Sequence, residues 1–217
     1  MKNVFLVGAT GYIGEVFTQQ IYKNKELNCF QIPHWKLYLD SEGDQGLHDY
    51  EKFYTLIEQF SPDLVINAAG YIGKPNVDAC EDNKEATYEG NVEFPTFLAK
   101  CCAQAGVPFA HVSSGCIYGG YKEDGSGYRE DEAPNFDFSN GSYYSGTKAL
   151  AENRIANVCD DYYIWRLRIP FDKFSSGRNY LSKMMTYDKL LNATNSMTHR
   201  YEFVDACLDL WVNKEDY

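Results

Sequence analysis

The sequence predicts an α/β fold, a parallel sheet covered by helices on both faces. Three observations predict it. Strand-like and helix-like patterns alternate along the chain. The strand segments are apolar throughout rather than every second residue, as in strands buried on both faces. A glycine-rich turn joins the first strand to the first helix.

The elements follow in order. Asn3–Val7 is a short apolar strand, and residues 15–22 form a helix carrying Val16, Phe17, Ile21 and Tyr22. Cys29–Ile32 is a second strand, stopped by Pro33, and residues 49–60 form an amphipathic helix with Phe53, Leu56, Ile57 and Phe60 on one face. Asp63–Asn67 is a strongly apolar strand; residues 92–105 form a helix ended by Gly106, and residues 108–113 a further strand. A helix over 144–158 and a strand over 162–169, closed by Pro170, complete the alternation. Between them, Gly119 to Asn140 is polar, acidic and glycine-containing, which predicts a long surface loop over a ligand site. Beyond Pro170 the pattern is irregular until a helix at 202–212.

Composition narrows the function classes. The chain has 217 residues, 44% hydrophobic and 24% charged, enough for one packed core with a small appendage. A formal net charge of −11 makes nucleic acid and anionic membrane poor partners. No apolar run is long enough to span a bilayer, and the first one leads straight into the glycine turn, not into a leader's cleavage site. Seven cysteines without a CxxC pair predict reduced thiols and a cytoplasmic protein. The four histidines have no metal-ligand spacing, so no metal is expected.

The turn reads Gly8-Ala9-Thr10-Gly11-Tyr12-Ile13-Gly14. Gly8 permits the tight bend, Gly11 lets backbone approach a pyrophosphate, and Gly14 lets the helix pack close to the sheet. The helix start then offers N–H groups and a positive dipole end to phosphate. This predicts a doubly wound, Rossmann-type sheet that binds a dinucleotide, with Thr10, Tyr12 and Ile13 beside the glycines. The small residues Ala68, Ala69 and Gly70 follow the third strand and leave room for the same ligand. No acid stands before Asp40 where a ribose 2′-hydroxyl would need one; Lys36 could meet a 2′-phosphate, which tilts the reading from NAD toward NADP without deciding it.

Tyr144 and Lys148 form a YxxxK pair at a helix start, four residues apart and so on one face. A lysine beside a phenol favours the phenolate and lowers its pKa, which suits proton transfer at a carbonyl or carbinol oxygen during hydride transfer. Ser114 ends the strand before it, at the sheet edge where ligands bind, placed to hold the same oxygen. Asn91 reads as a residue that ties neighbouring strands or binds a relay water at the cofactor site, or as a plain helix N-cap.

Together GATGYIG, Asn67–Gly70, Asn91, Ser113–Gly119 and Tyr144–Lys148 resemble the extended short-chain dehydrogenase/reductases, in that family's order. A narrower resemblance, to dTDP-4-dehydrorhamnose reductases and nucleotide-rhamnose epimerase-reductases, rests on Gly73–Glu81, Glu132–Phe136, Arg166–Pro170, Arg178–Lys183 and Asn195–Thr198. It implies a nicotinamide-dependent oxidoreductase that reduces a dTDP- or UDP-linked 4-keto-6-deoxysugar. Ser114, Tyr144 and Lys148 are then the catalytic triad, Lys148 also reaches the nicotinamide ribose, and Pro170 and Phe171 border the nicotinamide. Asn76, Ser114, Cys116, Arg178 and Asn179 face the sugar nucleotide. Cys116 and Lys183 resemble the acid–base pair of the epimerising relatives; a small buried thiol and a solvated lysine read equally well.

The resemblance divides the chain into a cofactor domain over 1–170 and a partial substrate region over 171–217. Family members continue well past the position of Tyr217, so the chain reads either as a fragment or as a short version with an open sugar pocket or one closed by a second copy or a partner subunit. Two alternatives stay open: a redox-neutral epimerase or dehydratase, and a non-catalytic regulatory subunit. Gly115 and Cys116 stand where a dehydratase carries its acidic pair, which argues against that chemistry.

Overall fold

The computed structural model describes residues 1–33, 37, 48–190 and 192–213. Lys36 and Asp40, weighed above for the ribose end of the cofactor, lie outside the described residues.

The five apolar runs form one sheet. β1 (Lys2–Val7), β2 (Leu27–Ile32), β3 (Leu64–Asn67), β4 (Phe109–Ser114) and β5 (Tyr162–Leu167) lie in the order β2-β1-β3-β4-β5. Every neighbouring pair is parallel. Parallel strands need crossovers, and helices supply them: α1 (Gly14–Lys23), α2 (Tyr50–Phe60), α3 (Lys84–Tyr88), α4 (Phe94–Ala105) and α5 (Tyr143–Val158).

Successive strand residues point to opposite faces, and both faces are apolar. Val4 and Leu6 of β1 join Leu64, Ile66 and Ala110 in a core closed by Val16, Phe17 and Ile21 of α1. Phe5 and Val7 join Val65 and Phe109 in a second core with Phe53 and Ile57 of α2, Leu98 of α4 and Ile155 of α5. Helix ends follow local chemistry. Asp49 caps α2 by accepting from the Lys52 N–H at 2.9 Å, and Ser142 caps α5 by accepting from Ser145 N–H at 3.1 Å. Gly106, at φ 65°, ends α4 in the left-handed turn that favours glycine.

Three elements differ from the sequence reading. The helix expected from Val92 begins at Lys84 and reaches Ala105 through a π-helical segment, Glu89–Glu93. Its first turn is solvent-facing, so it adds no apolar periodicity. The strand expected to reach Ile169 stops at Leu167, because Ile169 adopts φ 45° and turns the chain. The irregular tail is structured: β6 (Pro170–Phe171), α6 (Tyr180–Met184), β7 (Thr198–His199) and α7 (Arg200–Asn213), with β6 and β7 paired parallel. α7 returns to the main sheet. Its Val204, Cys207, Leu208 and Trp211 sit in the same core as α1.

The Gly119–Asn140 stretch carries no helix or strand, as expected. It is nevertheless tied down. Asn135 exchanges two hydrogen bonds with the Gly119 backbone, at 2.8 and 2.9 Å, and Tyr118 Oη donates to the Glu132 carbonyl at 2.6 Å. The seven cysteines are free thiols. Among the described residues no cluster could hold a metal ion, and no helix is long and apolar enough to cross a membrane.

The glycine turn is the tightest point of the fold. A Cβ on Gly14 would lie 2.0 Å from the Gly8 carbonyl oxygen, and one on Gly8 would lie 2.5 Å from the Ala69 nitrogen. Both obstacles are backbone and cannot swing aside. Gly14→Ala should therefore cost stability by at least the roughly 1–3 kcal/mol typical of overpacking. Gly177, whose Cβ would meet open space, is the control. Gly177→Ala should leave the urea midpoint within the scatter of a neutral surface change, about 0.5 kcal/mol.

Candidate active site

In a sheet of this order the strand sequence reverses direction between β1 and β3, and ligands bind beyond the C-terminal ends there. Gly8 follows β1, and Ala68 follows β3. The Ala68 N–H donates to the Val7 carbonyl at 2.9 Å, so the two loops leave the sheet side by side. Gly11 N–H donates to the Gly8 carbonyl at 2.9 Å and closes the turn. No side chain caps the start of α1. Gly8, Gly11 and Gly14 thus pack closely on one another and on Ala68 and Ala69, with no room for a Cβ at Gly8 or Gly14, while Thr10 and Gly70 are exposed, Ile13 packs on the α1 core and the Tyr12 ring lies under Arg200.

Asn91 is not a helix N-cap; it lies inside the π-helical segment. Its Oδ1 accepts from Tyr71 N–H at 2.8 Å and its Nδ2 donates to the Tyr71 carbonyl at 2.9 Å. A second contact, 3.4 Å, reaches Thr147 Oγ1 on α5. Side-chain insertion at a π segment is a recurrent way to hold a site. Here Asn91 fixes the loop after β3 against α5.

α5 presents Tyr144 and Lys148. Its N-terminus is held by Ser142 and by Glu81, whose carboxylate accepts from the Tyr143 N–H at 2.6 Å. Tyr144, half-buried, lies beside Ser114 at the end of β4, close enough for the serine hydroxyl to pull its pKa down. Ser114 also accepts from the Cys116 N–H at 3.2 Å, which folds the strand end over into a short 3₁₀ turn, Gly115–Ile117. Arg168 braces that turn by donating to the Gly115 carbonyl at 2.9 Å.

One electrostatic expectation is corrected. Burial pushes the Tyr144 phenol above its ordinary range, nearby Cys116 adds to that, and the Ser114 hydrogen bond only partly opposes it. Lys148 does not lower it, because Lys148 is turned inward. Its Nζ donates to the Val112 carbonyl at 3.1 Å and lies 3.1 Å from His111 Nε2. Burial pulls the ammonium down to about 8, with Glu152 opposing. In this geometry the pair keeps a protonated phenol rather than a phenolate.

The remaining expected residues divide. Cys116 lies close enough to Tyr144 to raise its pKa, whereas Lys183 is half-buried on α6. Pro170 lies in β6, while Asn76 and Arg178 are solvent-exposed. Asn179 departs from its expected role toward the sugar nucleotide. It is 2% exposed, with Nδ2 on the Asp172 and Phe174 carbonyls, both at 2.7 Å, and Oδ1 accepting from Leu181 N–H. Its amide is consumed inside the lobe.

Two features escaped the sequence reading. Arg200 pairs with the Asp172 carboxylate, donates to the Tyr12 carbonyl and stacks its guanidinium 4.0 Å from the Tyr12 ring centroid. Glu152, one turn beyond Lys148, is held by both forks of Arg166 and accepts from Ser113. Neither had a spacing signal, since their partners are distant in sequence.

A family model described as the RmlD substrate binding domain matches residues 1–198. The chain belongs to that family. A bifunctional dTDP-4-dehydrorhamnose 3,5-epimerase/dTDP-4-dehydrorhamnose reductase from Arabidopsis thaliana is 34% identical over 213 residues, 96% of this chain and 65% of the relative. The chain therefore spans just under two thirds of that protein's length. The crystal structure of the L780 UDP-rhamnose synthase of Acanthamoeba polyphaga mimivirus superposes with TM-score 0.81 at 22% identity, covering 98% of this chain and 71% of the other. A dTDP-4-dehydrorhamnose reductase from Bacillus anthracis, solved with NADP, gives TM-score 0.61 at 20% identity over 85% of this chain and 59% of its own. This RmlD-family chain is thus an extended short-chain dehydrogenase/reductase in fold.

The buried histidine carries a pH signature. Burial, with Lys148 second, holds His111 well below the ordinary 6.5, so the folded ring stays neutral. Below that pH the unfolded chain binds a proton that the folded one refuses, and stability falls as pH falls. One such group contributes about 1.4 kcal/mol per pH unit. Urea unfolding from about pH 7 down to pH 5 should show this slope, and it should flatten in His111→Gln. Identical slopes in the two proteins would exclude His111 as the source.

Proposed function

We propose that the chain is an NAD(P)H-dependent reductase of a nucleotide-linked 4-keto-6-deoxysugar. The observation that carries this reading is the Ser114–Tyr144 hydroxyl pair at the end of β4, beside the glycine cradle at the β1/β3 reversal. The cradle suits a dinucleotide pyrophosphate. Gly8, Gly11 and Gly14 would hold it, with Ala68–Gly70 alongside and Pro170 toward the nicotinamide. The bound dinucleotide supplies the hydride.

The chain's own residues handle the proton. Ser114 orients the C4 oxygen of the ketosugar. Tyr144, kept protonated by burial, donates its proton to that oxygen as it gains negative charge. Exposed Arg178 offers a cation to the nucleotide phosphates. The family match and the Arabidopsis relative support the substrate class.

Prior epimerisation at the carbons flanking the ketone is favoured by one observation, the approach of Cys116 to Tyr144. The 4-keto group acidifies those C–H bonds, and a thiolate is an adequate base for them.

The test is turnover of dTDP- and UDP-4-keto-6-deoxyglucose with NADH and with NADPH, followed at the absorbance of the reduced ring. Tyr144→Phe should lower kcat by about 10²–10⁴-fold while leaving cofactor affinity nearly unchanged. Undiminished turnover in that variant would remove Tyr144 as the acid. Proton exchange into the sugar without loss of reduced cofactor would favour a redox-neutral epimerase.

A further inference from the structure

The glycine turn is held from a residue 188 positions away. α7 lies along α1 in the same direction: Tyr201 Oη donates to Gln19 Oε1 at 3.1 Å, and the Asp205 carboxylate accepts from Gln20. Val204, Cys207 and Leu208 share the core of Val16, Phe17 and Ile21. This packing carries Arg200, the first residue of α7, to the turn that precedes α1.

There the guanidinium is fully engaged. Its Nε donates to Asp172 Oδ2, its Nη1 donates to the Tyr12 carbonyl, and its central carbon lies 4.0 Å from the Tyr12 ring centroid. Arg200 is 6% exposed and Asp172 3%. A second carboxylate, on exposed Glu15, lies 3.9 Å from Nη1. Asp172 is itself positioned: its Oδ1 accepts from the Phe174 N–H at 2.7 Å and from Asn179 Nδ2 at 3.1 Å, which leaves Oδ2 for Arg200. The cation is neutralised where it stands, so it does not serve as a free charge for a phosphate. What it fixes is a peptide plane.

The Tyr12–Ile13 peptide is trans, so its carbonyl and its N–H point to opposite sides of one rigid plane. Arg200 takes the carbonyl. The Ile13 N–H therefore faces away from Arg200, and among the described residues no backbone carbonyl accepts it. No side chain caps α1 either. That N–H is one of the open donors of a helix start. Without the bond to Arg200 the plane could turn, since Gly11 and Gly14 on either side give the backbone freedom to follow.

We propose that Arg200, held by Asp172, is a positioning residue of the dinucleotide site: by binding the Tyr12 carbonyl it aims the Ile13 N–H into the cradle before the ligand arrives. A donor already in place loses little conformational freedom on binding. The proposal rests on the reading of the glycine turn as a dinucleotide cradle. It adds that the lobe after β6 contributes to cofactor affinity without touching the cofactor.

The test is binding and spectroscopy rather than turnover. The chain contains three Tyr-Ile pairs, Tyr12-Ile13, Tyr71-Ile72 and Tyr163-Ile164. Tyrosine labelled with ¹³C at the carbonyl and isoleucine labelled with ¹⁵N therefore leave only those pairs in a carbonyl-edited amide spectrum. Ile13→Leu identifies the first, and Ile164 on β5 is the control. In the wild-type protein NADPH or NADH should move the Ile13 amide proton downfield, as donation to a phosphate oxygen does, and leave Ile164 in place. An Ile13 amide indifferent to a bound dinucleotide overturns the proposal.

Removing Arg200 alone would strand the buried Asp172 carboxylate. The variant is therefore Arg200→Met with Asp172→Asn, which removes both charges and keeps an oxygen for Phe174 and Asn179. Its dinucleotide dissociation constant, measured by calorimetry, should rise about tenfold or more. Its Ile13 signal should be displaced before any ligand is added, with Ile164 unmoved. Unchanged affinity, or weaker binding with an undisplaced Ile13 signal, overturns the proposal. Should the double variant not fold, Arg200→Lys takes its place under the same outcomes; it keeps a charge beside Asp172 but not the two-armed fork. A wild-type protein that binds neither NADPH nor NADH removes the dinucleotide reading and this proposal with it. A wild type that binds, with a variant that binds equally, removes the proposal alone.

Discussion

The geometry of the whole site depends on a close approach of backbone to backbone. Where α1 leaves β1, Gly14 lies so near the Gly8 carbonyl that no side chain fits, and Gly8 in turn lies too near the loop after β3 for one. That contact sets the angle of α1 on the sheet and the width of the crevice between the first and third strands. Ala68 and Ala69 border the crevice because it is narrow. Asn67, fixed by the Ala69 N–H, orients its amide because that loop is fixed.

A second constraint holds the C-terminal lobe to the same turn. Arg200 and Asp172 are both nearly buried, and each charge is neutralised chiefly by the other. Removing one partner of such a pair typically costs about 3–5 kcal/mol, because the remaining charge is left without compensation. Asn179 reinforces the acid from its own side of the lobe. Asp172, Asn179 and Arg200 thus spend their hydrogen bonds within the lobe and on the Tyr12 carbonyl of the glycine turn.

Much of this was legible in the residues. The five strands read as apolar runs because both faces of the sheet are covered, and the glycine turn read as a cradle because its spacing follows from sterics. Tyr144, Lys148 and Ser114 stood out by position. What could not be read was the direction in which Lys148 points. That depends on His111, which in sequence stands between apolar neighbours, 37 positions from its partner. The phenol's upward shift likewise comes from burial, and burial is a property of the assembled site. Asn179 looked like a ligand residue because asparagine serves both purposes; only its buried amide separates them.

The clasp between Arg200 and Tyr12 joins residues 188 positions apart. On the ribosome the glycine turn emerges early, and its brace follows 188 residues later. At roughly 5–20 residues per second, the interval is on the order of ten to forty seconds. Through that time β1, α1 and β2 can form, but the core that α7 shares with α1 is open, with Phe17 and Ile21 uncovered. The nascent protein must carry that exposed apolar surface until α7 arrives to cover it.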